Sequence, residues 1–256
     1  MSAALALHDV RVDLGGTDRM RAIDLAVAPG ERVALVGVSG SGKSLLAAAI
    51  AGCLPRAARA SGVVDIGGRR RDLAARARDV PPGLALVRQD SSTALHPLYP
   101  VGAQLRRLCR RRAADSGADS GADSRAEGVA GLLAAVGLGA ELAGRLPGEL
   151  SGGQRQRVAV AVALGSRAQV VIADEATTAL DGPTQQQVLA ALTALPAALV
   201  LITHDLAVAA EVCSRVVVLD GGRLVDDLPL ERMLAGEGSA PTRALAADLP
   251  TVAGRA

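Results

Sequence analysis

The chain has 256 residues, with 28 Lys or Arg against 26 Asp or Glu, and this net charge of +2 is too small to indicate a nucleic-acid partner. Half of its residues are hydrophobic, yet its apolar runs are too short to cross a bilayer, and its N-terminus lacks the pattern of a signal peptide. Its three cysteines are isolated in sequence, as reduced thiols usually are. We therefore expect a cytosolic protein.

The first third of the chain predicts a small antiparallel sheet that leads into a strand, loop and helix. Residues 5–13 alternate partly, as an edge strand does, and residues 22–27 form a second strand before Pro29-Gly30. Residues 61–68 are predicted to add another arm to this sheet. Between them, a buried strand over 31–36 and a helix over 45–51 enclose a glycine-rich loop.

That loop, Gly37-Val38-Ser39-Gly40-Ser41-Gly42-Lys43-Ser44, fits the pattern G-x-x-x-x-G-K-[ST] of a phosphate-binding loop. Glycine lets the backbone curl and approach an anion closely, and the N-terminus of the following helix favours negative charge. Lys43 is expected to contact the β- and γ-phosphates, and Ser44 to bind Mg²⁺. Lys43 is also the only lysine among the 28 cationic residues, which favours a specific role for its compact ammonium group.

The middle of the chain changes character. A short buried strand over 84–87 is followed by a predicted helix over 101–112, whose arginine-rich end is expected to be solvated. An Ala-Asp-Ser-Gly repeat over 113–126 is low in hydrophobicity and is predicted to be a disordered surface loop. A further helix is predicted to begin near residue 126 and end near 136.

Continuous apolar runs then return, as in strands buried on both faces of a parallel sheet. They cover residues 170–173, 199–202 and 216–219, and helices at 184–194 and 205–213 separate them. Alternating strands and helices indicate an α/β sheet with right-handed crossovers. We predict a core from residues 1–89 and 158–225, a helical insertion over 90–157, and a short tail over 226–256.

Two further motifs stand at ends of these elements. Asp174-Glu175 follows the strand over 170–173 directly, at the carboxyl end where ligands of parallel sheets collect. One carboxylate there can hold Mg²⁺, and its neighbour can polarise an attacking water. Leu150–Gln154 precedes a helix and is a second potential anion-binding site, although Ser and Gly are also ordinary helix caps. Two such sites suit one triphosphate only if each completes a site on another subunit.

Six motifs resemble those of ATP-binding cassette (ABC) ATPases in order and spacing: the phosphate loop, Gln89, Leu150–Gln154, Val170–Glu175, Ala179–Asp181 and Thr203–Asp205. Together they span nearly the whole chain. The resemblance implies a P-loop NTPase (RecA-like) parallel-sheet core with an N-terminal antiparallel β subdomain and an inserted α-helical subdomain. It also implies a head-to-tail dimer that binds ATP and Mg²⁺ between the phosphate loop of one subunit and Ser151–Gln154 of the other.

The resemblance assigns a role to each matching residue. Glu175 is expected to be the catalytic base or water-orienting group, with His204 and Lys43 at the γ-phosphate. Mg²⁺ is expected to be held or sensed by Ser44, Gln89 and Asp174. The other expected nucleotide contacts are Gly37, Ser39, Gly40, Ser41, Gly42, Leu45, Ser151, Gly152, Gly153, Gln154 and Asp181, of which Asp181 would lie at the dimer seam.

The segments Gln89–Leu98, Val101–Leu105 and Pro241–Leu245, with the later Leu249-Pro250, are similar to peptide and nickel uptake ATPases. This implies an ATPase that drives import of peptides or nickel-type solutes through two separate membrane permease subunits. Its ATPase partner would be a second copy or a homologue, and an extracytoplasmic solute-binding protein would act indirectly. We expect it at the cytoplasmic face of the inner membrane, without a transmembrane segment of its own and without a nucleic-acid partner.

Two alternatives from other classes remain. A soluble ABC ATPase acting on ribosomes or DNA usually joins two cassettes or has coiled-coil arms, and this sequence shows one cassette and no sustained heptads. A regulatory cassette that does not hydrolyse ATP would not need Lys43, Asp174, Glu175 and His204 together. Both alternatives are therefore weaker than an importing ATPase.

One departure from the family pattern predicts the nucleotide preference. ABC ATPases commonly stack adenine on an aromatic residue near the first strand, whereas the aligned residue here is Leu14 and the chain has a single aromatic residue, Tyr99. A base–aromatic stack contributes roughly 1–3 kcal/mol. We therefore predict that ATP and GTP displace a bound fluorescent nucleotide at nearly equal concentrations; a large preference for ATP would contradict this.

Overall fold

The computed structural model describes residues 3–75, 79–90, 94–116, 122–178 and 180–247, without the side chains of 110–116 and 122–126. The chain divides into two compact units. Unit 1 comprises the residues up to Leu84 and those from Ala198 onward, and unit 2 comprises Ala85–Ala197. Residues of the family resemblance that lie outside the described ranges are Ser91, Ser92, Thr93, Ala179, Leu249 and Pro250.

The described residues form ten strands and eight α-helices. The strands are β1 (Leu5–Leu14), β2 (Thr17–Val27), β3 (Arg32–Val36), β4 (Ala58–Ile66), β5 (Arg69–Asp72), β6 (Leu84–Val87), β7 (Val170–Asp174), β8 (Ala198–Ile202), β9 (Arg215–Asp220) and β10 (Arg223–Pro229). The helices are α1 (Lys43–Ala51), α2 (Val101–Ser116), α3 (Ala122–Ala134), α4 (Gly152–Gly165), α5 (Gly182–Thr193), α6 (Leu206–Val212), α7 (Leu230–Leu234) and α8 (Ala240–Ala247).

Unit 1 contains the predicted antiparallel sheet, in the order β2-β1-β4-β5. In β1, Leu5, Leu7, Val10 and Val12 are buried, and a register shift between Leu7 and Val10 keeps the apolar side chains on the buried face. The residue pairs across β1 and β4 include Leu7 with Val64. Apolar alternation therefore fixes the register of this sheet.

A second group of strands in unit 1 has the order β10-β9-β3-β8. The central strand, β3, pairs in parallel with both β8 and β9, and their apolar runs are buried throughout. β10 pairs antiparallel to β9. Continuous apolar composition is what strands with neighbours on both sides and covered faces require.

Unit 2 combines two neighbouring strands, β6 and β7, with the helices α2 to α5. Its apolar interior includes Leu105 of α2, Leu133 of α3 and Val158 of α4. Gly165 closes α4 where a side chain would meet Leu132 and Leu108, so the absence of a Cβ allows close packing of these helices. None of the helices in the described ranges is long and apolar enough to cross a membrane.

The structure differs from the predicted boundaries in the middle of the chain. α2 continues to Ser116 and α3 already begins at Ala122, inside the tract predicted to be a loop over 113–126. The alanine in each repeat favours helix, which explains why the helices extend into the tract; residues 117–121 lie outside the described ranges. The compact unit 2 also takes in β7 and α5, beyond the predicted insertion over 90–157.

The segment from residue 226, predicted as a short mixed tail, is an ordered part of unit 1 as far as residue 247. Asp226 on β10 accepts hydrogen bonds from the Ser239 amide at 2.8 Å, from the Ser239 hydroxyl and from the buried Thr242 hydroxyl. Although partial burial opposes it, this hydrogen bonding lowers the pKa of Asp226. The carboxylate thereby fixes the start of α8 to β10.

Arg215 joins three segments of unit 1. Its guanidinium forms a two-pronged ion pair with Asp227 at 2.6 Å for each contact. It also donates to Glu31 at 2.9 Å and to the Ala26 carbonyl at 3.0 Å. Hydrogen bonding to Asp227 raises the pKa of Arg215, which favours the charged guanidinium.

We predict that Arg215→Met lowers the free energy of unfolding by about 2 kcal/mol. This loss is smaller than that for a fully buried ion pair, because solvent partly screens the charges of Arg215 and its partners. Urea denaturation followed by circular dichroism measures the change. Arg11→Met is the matched control, since Arg11 pairs with Asp9 at an exposed surface and its loss is expected to leave stability near that of the parent protein. Equal losses in the two variants would contradict the prediction.

Candidate functional site

The phosphate loop in unit 1 connects the end of β3 to the start of α1. A Cβ on Gly37 would lie 2.1 Å from the Leu219 carbonyl oxygen, so only glycine permits this backbone contact. Gly42 has a φ of 108° and is the N-cap of α1, where no side chain caps the helix. A helix start without a side-chain cap is the arrangement of an anion-binding helix N-terminus.

Two polar side chains are buried in this loop. The Lys43 ammonium donates to the carbonyl oxygens of Gly37 at 2.8 Å and Val38 at 3.1 Å, which holds the lysine across the loop. Ser41 is 4% exposed, and its hydroxyl has no hydrogen-bond partner among the described residues. A buried hydroxyl without a partner costs about 1–3 kcal/mol, which a bound phosphate oxygen would offset.

The other predicted residues of the loop present more of their surface. Ser39, Gly40 and Ser44 are exposed, and Leu45 is half-buried. Exposed residues on one side of the loop can contact a ligand, while the main-chain carbonyls of the loop hold the buried lysine. All of the predicted phosphate-loop residues therefore lie in one short segment of unit 1.

His204 lies in the same unit, between β8 and α6. Because β8 and β3 are parallel neighbours, with Leu35 opposite Ile202, His204 follows one strand end and the phosphate loop follows the adjacent one. The His204 side chain is exposed. Asp205 fixes the turn after it, since its amide donates to Thr203 at 3.0 Å and its carboxylate accepts from Ala207 at 2.8 Å.

Unit 2 brings Gln89 and Glu175 together. The Gln89 amide nitrogen donates to Glu175 Oε2 at 3.0 Å. Gln89 follows β6 and Glu175 follows β7, and these strands are neighbours. Asp174, the last residue of β7, is buried. A glutamine and two carboxylates therefore collect at these two strand ends.

Glu175 adopts a backbone conformation that is unusual for its residue type. Its φ is +48°, in the left-handed region, which costs about 1–3 kcal/mol for a residue other than glycine. Its carbonyl accepts from the Thr178 amide at 3.4 Å and from the Thr178 hydroxyl at 3.2 Å. Such strain is concentrated at functional sites, where it aims a side chain.

The second predicted anion-binding site, Ser151–Gln154, lies at the N-terminus of α4 in unit 2. The Ser151 hydroxyl accepts from the Gln154 amide at 3.2 Å, and the Gln154 side chain accepts from the Ser151 amide at 2.9 Å. This reciprocal capping box engages both side chains. Gly152 is exposed, and a Cβ there would meet nothing within 4 Å, so the backbone at the helix start is open to a partner.

Asp181 is the N-cap of α5, where its carboxylate accepts from the Thr184 amide at 2.9 Å. Hydrogen bonding to Thr184 lowers the pKa of Asp181, which keeps the carboxylate ionised. Its predicted place at a dimer seam stays a prediction, because the capping role accounts for its geometry by itself.

The residues present fit a nucleotide with Mg²⁺. An uncapped helix start, a loop lysine and the partnerless Ser41 hydroxyl suit phosphate oxygens. Within the described ranges there is no group of three or more His, Cys, Asp or Glu that could hold a metal by itself. Mg²⁺ is usually bound by one or two protein oxygens together with substrate phosphates, and the Ser44 hydroxyl in unit 1 and the Asp174 carboxylate in unit 2 each offer an oxygen of this type.

The sequence analysis did not identify two residues of unit 2 that support this site. Thr178 supports Glu175, and Gln156 of α4 donates to the Arg88 carbonyl at 3.1 Å. Gln156 and Arg88 are 68 positions apart, so no local pattern signals their contact. Both of its sequence neighbours are charged arginines, so the local composition also gives no sign that Gln156 is buried.

Comparisons with known proteins agree on one family. A family model described as ABC transporter matches residues 20–178. The chain is 36% identical over 249 residues to the oligopeptide transport ATP-binding protein OppD of Mycobacterium bovis, an alignment that covers 88% of this chain and 38% of that protein. With OppD of Lactococcus lactis subsp. cremoris the identity is 35%, covering 90% of this chain and 69% of that protein.

A solved structure is also similar. The ATP-binding cassette MJ0796, determined as a dimer in a post-hydrolysis state bound to ADP and Pi, has 28% identity and a TM-score of 0.71. The match covers 88% of this chain and 98% of that one. The P-loop NTPase fold predicted from the sequence is therefore confirmed. The chain spans less than two fifths of the length of the mycobacterial relative.

The partnerless hydroxyl gives a direct test of the phosphate loop. We predict that Ser41→Ala leaves thermal stability unchanged or higher without nucleotide, because it removes a buried polar group that has no partner. ATP affinity is expected to fall about tenfold or more, since a hydrogen bond to a charged group is lost. Differential scanning fluorimetry and isothermal titration calorimetry measure the two effects.

Ser166→Ala is the control, because the Ser166 hydroxyl already donates to the Ala163 carbonyl at 2.7 Å. This variant is expected to lose some stability and to keep its ATP affinity. If Ser41→Ala lost stability and bound ATP normally, its hydroxyl would be structural and the prediction would fail.

Proposed function

The chain belongs to the ABC transporter family, and from this premise we propose that it is the ATP-hydrolysing subunit of an importer. The observation on which the proposal rests is the phosphate loop, where no side chain caps the start of α1 and the buried Ser41 hydroxyl has no hydrogen-bond partner among the described residues. ATP hydrolysis is the chemistry that fits this loop when a carboxylate pair such as Asp174 and Glu175 is also present.

Each group has a distinct task in the proposed reaction. The amide groups at the start of α1 and the Lys43 ammonium stabilise the negative charge of the β- and γ-phosphates. Ser44 and Asp174 would hold Mg²⁺ and Gln89 would sense it; the ion would neutralise charge on the phosphate oxygens. Glu175 accepts a proton from the attacking water, and His204 contacts the γ-phosphate.

The Gln89–Glu175 hydrogen bond orients the proposed base. The Gln89 amide donates to Oε2 at 3.0 Å, which restricts the direction of the carboxylate. The Thr178 hydroxyl lies 3.5 Å from the same carboxylate oxygen, and its bond to the Glu175 carbonyl at 3.2 Å supports the strained backbone. Orientation of this kind is what a general base needs, since proton transfer depends first on geometry.

The proposed active form is a head-to-tail dimer with a second copy or a homologous ATPase. In it, Ser151–Gln154 of each subunit contacts the nucleotide bound at the phosphate loop of the other, and Asp181 lies at the seam. The dimeric MJ0796 cassette supports this proposal, as does the open backbone at Gly152. ATP favours the closed dimer, and hydrolysis removes that preference, which is a ligand-driven population shift.

The names of the relatives favour peptides as the imported solute. Similar proteins include several that are named oligopeptide transport or peptide import ATP-binding proteins. These names also favour an importer over an ATPase that acts on ribosomes or DNA. Nickel-type solutes remain the second candidate on the sequence resemblance alone. The transport partners would be two permeases and, indirectly, a solute-binding protein, with this chain at the cytoplasmic face of the inner membrane.

A surface of unit 2 is suited to a permease segment. Leu98 is 77% exposed and Tyr99 57%, an unusual exposure for the only aromatic residue of the chain. Gln104 holds their loop in place, donating to the His96 carbonyl at 3.0 Å and the Tyr99 carbonyl at 2.8 Å. The loop borders a groove of about 720 Å³ that Arg106 and Arg107 also line, which favours a partner segment with apolar and acidic side chains.

The catalytic proposal predicts the behaviour of Glu175→Gln. This change keeps the size of the side chain but removes its basicity, so we expect turnover to fall by about 10²–10⁴-fold with ATP affinity unchanged. Phosphate release measures the first quantity and equilibrium binding of ATP the second. Glu149→Gln is the control, since this exposed glutamate caps a turn that ends at Leu150 and is expected to keep its turnover. Near-normal hydrolysis by Glu175→Gln would remove this residue from the catalytic role.

A further inference from the structure

Gln156 of α4 has a buried side chain that reaches the residue after a strand of unit 2. It is 3% exposed, and its amide nitrogen donates to the Arg88 carbonyl at 3.1 Å. Arg88 is the residue between β6 and Gln89. A buried amide that donates to a main-chain carbonyl is costly to lose, because the carbonyl is then left without that partner.

A hydrogen bond to the Arg88 carbonyl affects the position of the next residue, Gln89. The carbonyl of Arg88 and the amide nitrogen of Gln89 belong to one planar peptide group, so fixing the oxygen also fixes the orientation of the Gln89 backbone. The Gln89 side chain extends from that backbone to Glu175 Oε2 at 3.0 Å. Gln156 therefore limits the motion of the group that orients the proposed base.

The same helix begins at the second anion-binding site. Ser151 and Gln154 form the capping box of α4, and Gln156 lies within the first two turns of that helix. A displacement of the helix start therefore reaches the Arg88–Gln89 peptide through a single hydrogen bond, without passing through a flexible segment. Both ends of this connection lie in unit 2.

We propose that Gln156 is a positioning residue that couples the N-terminus of α4 to the Gln89–Glu175 pair. This inference rests on the proposed function, because it gives that pair a catalytic purpose. In the proposed dimer, α4 meets the nucleotide of the partner subunit while Gln89 and Glu175 serve the subunit's own nucleotide. Gln156 thus connects the two nucleotide sites, and each site responds to the occupancy of the other.

The first test removes the donor with little change in volume. Gln156→Leu is expected to lower kcat about tenfold with little change in KM for ATP, since it disorients the base without touching the nucleotide. Gln187→Leu is the matched control, because the Gln187 amide donates to the Ala134 carbonyl at 3.1 Å within the same unit. The control is expected to keep kcat, and thermal unfolding verifies that both variants are folded.

The second test restores the donor by protonation. In Gln156→Glu, a neutral carboxyl can donate to the Arg88 carbonyl, whereas the ionised form cannot and is repelled by it. Burial favours the neutral form, so the kcat of this variant relative to that of the parent is expected to rise as the pH falls from about 8 to 6. The corresponding ratio for Gln156→Leu is expected to be independent of pH. A purely structural role would give no such difference.

A third readout does not depend on activity. Hydrogen–deuterium exchange of the nucleotide-free protein is expected to quicken over residues 84–90 in Gln156→Leu, and over residues 131–138 in Gln187→Leu. If Gln156→Leu has the kcat and the exchange pattern of the parent protein, the inference is overturned. If the parent protein does not hydrolyse ATP, the proposed function fails, and the exchange measurement still decides whether Gln156 holds the Arg88–Gln89 peptide.

Discussion

The structure depends on a backbone that is forced into close approach at the phosphate loop. Gly37 comes so near to the Leu219 carbonyl that any side chain would collide with it, and Gly42 begins α1 without a side-chain cap. The parallel pairing of β3 with β8 and β9 holds the strand from which this loop departs. An anion site made of main-chain amides needs such a rigid frame, because the amides must stay unpaired until a ligand binds.

In unit 2, a constrained backbone likewise fixes the position of a side chain. Glu175 stands on a left-handed backbone conformation directly after the buried strand β7, and Gln89 and Thr178 hold it. Capping boxes and hydrogen bonds to main-chain carbonyls keep the helix starts of this unit in place, as at Ser151 and Gln156. The contacts that stabilise unit 2 therefore also position Glu175. They explain why this residue can keep a strained backbone conformation.

Much of this could be predicted from the sequence, for definite physical reasons. The strand, glycine loop and helix around Lys43 have local signals, since apolar runs, glycines and a helix start are all read within a few residues. The alanine-rich repeat was wrongly predicted over 113–116 and 122–126, because polar composition was weighted above the helix propensity of alanine. The hydrogen bonds that Gln156 donates to Arg88 and Thr242 donates to Asp226 join distant positions, and no local pattern in a single sequence signals them.

The central claim is that the triphosphate of ATP joins half-sites from two subunits, and that cleavage lets the subunits part. Multi-angle light scattering of Glu175→Gln, with saturating ATP and then with ADP, tests this claim most directly. The account predicts a dimer with ATP and monomers with ADP, and a further Ser151→Arg change in the same chain is expected to abolish the dimer. A protein that stays monomeric with saturating ATP, even together with its membrane partners, would contradict the account.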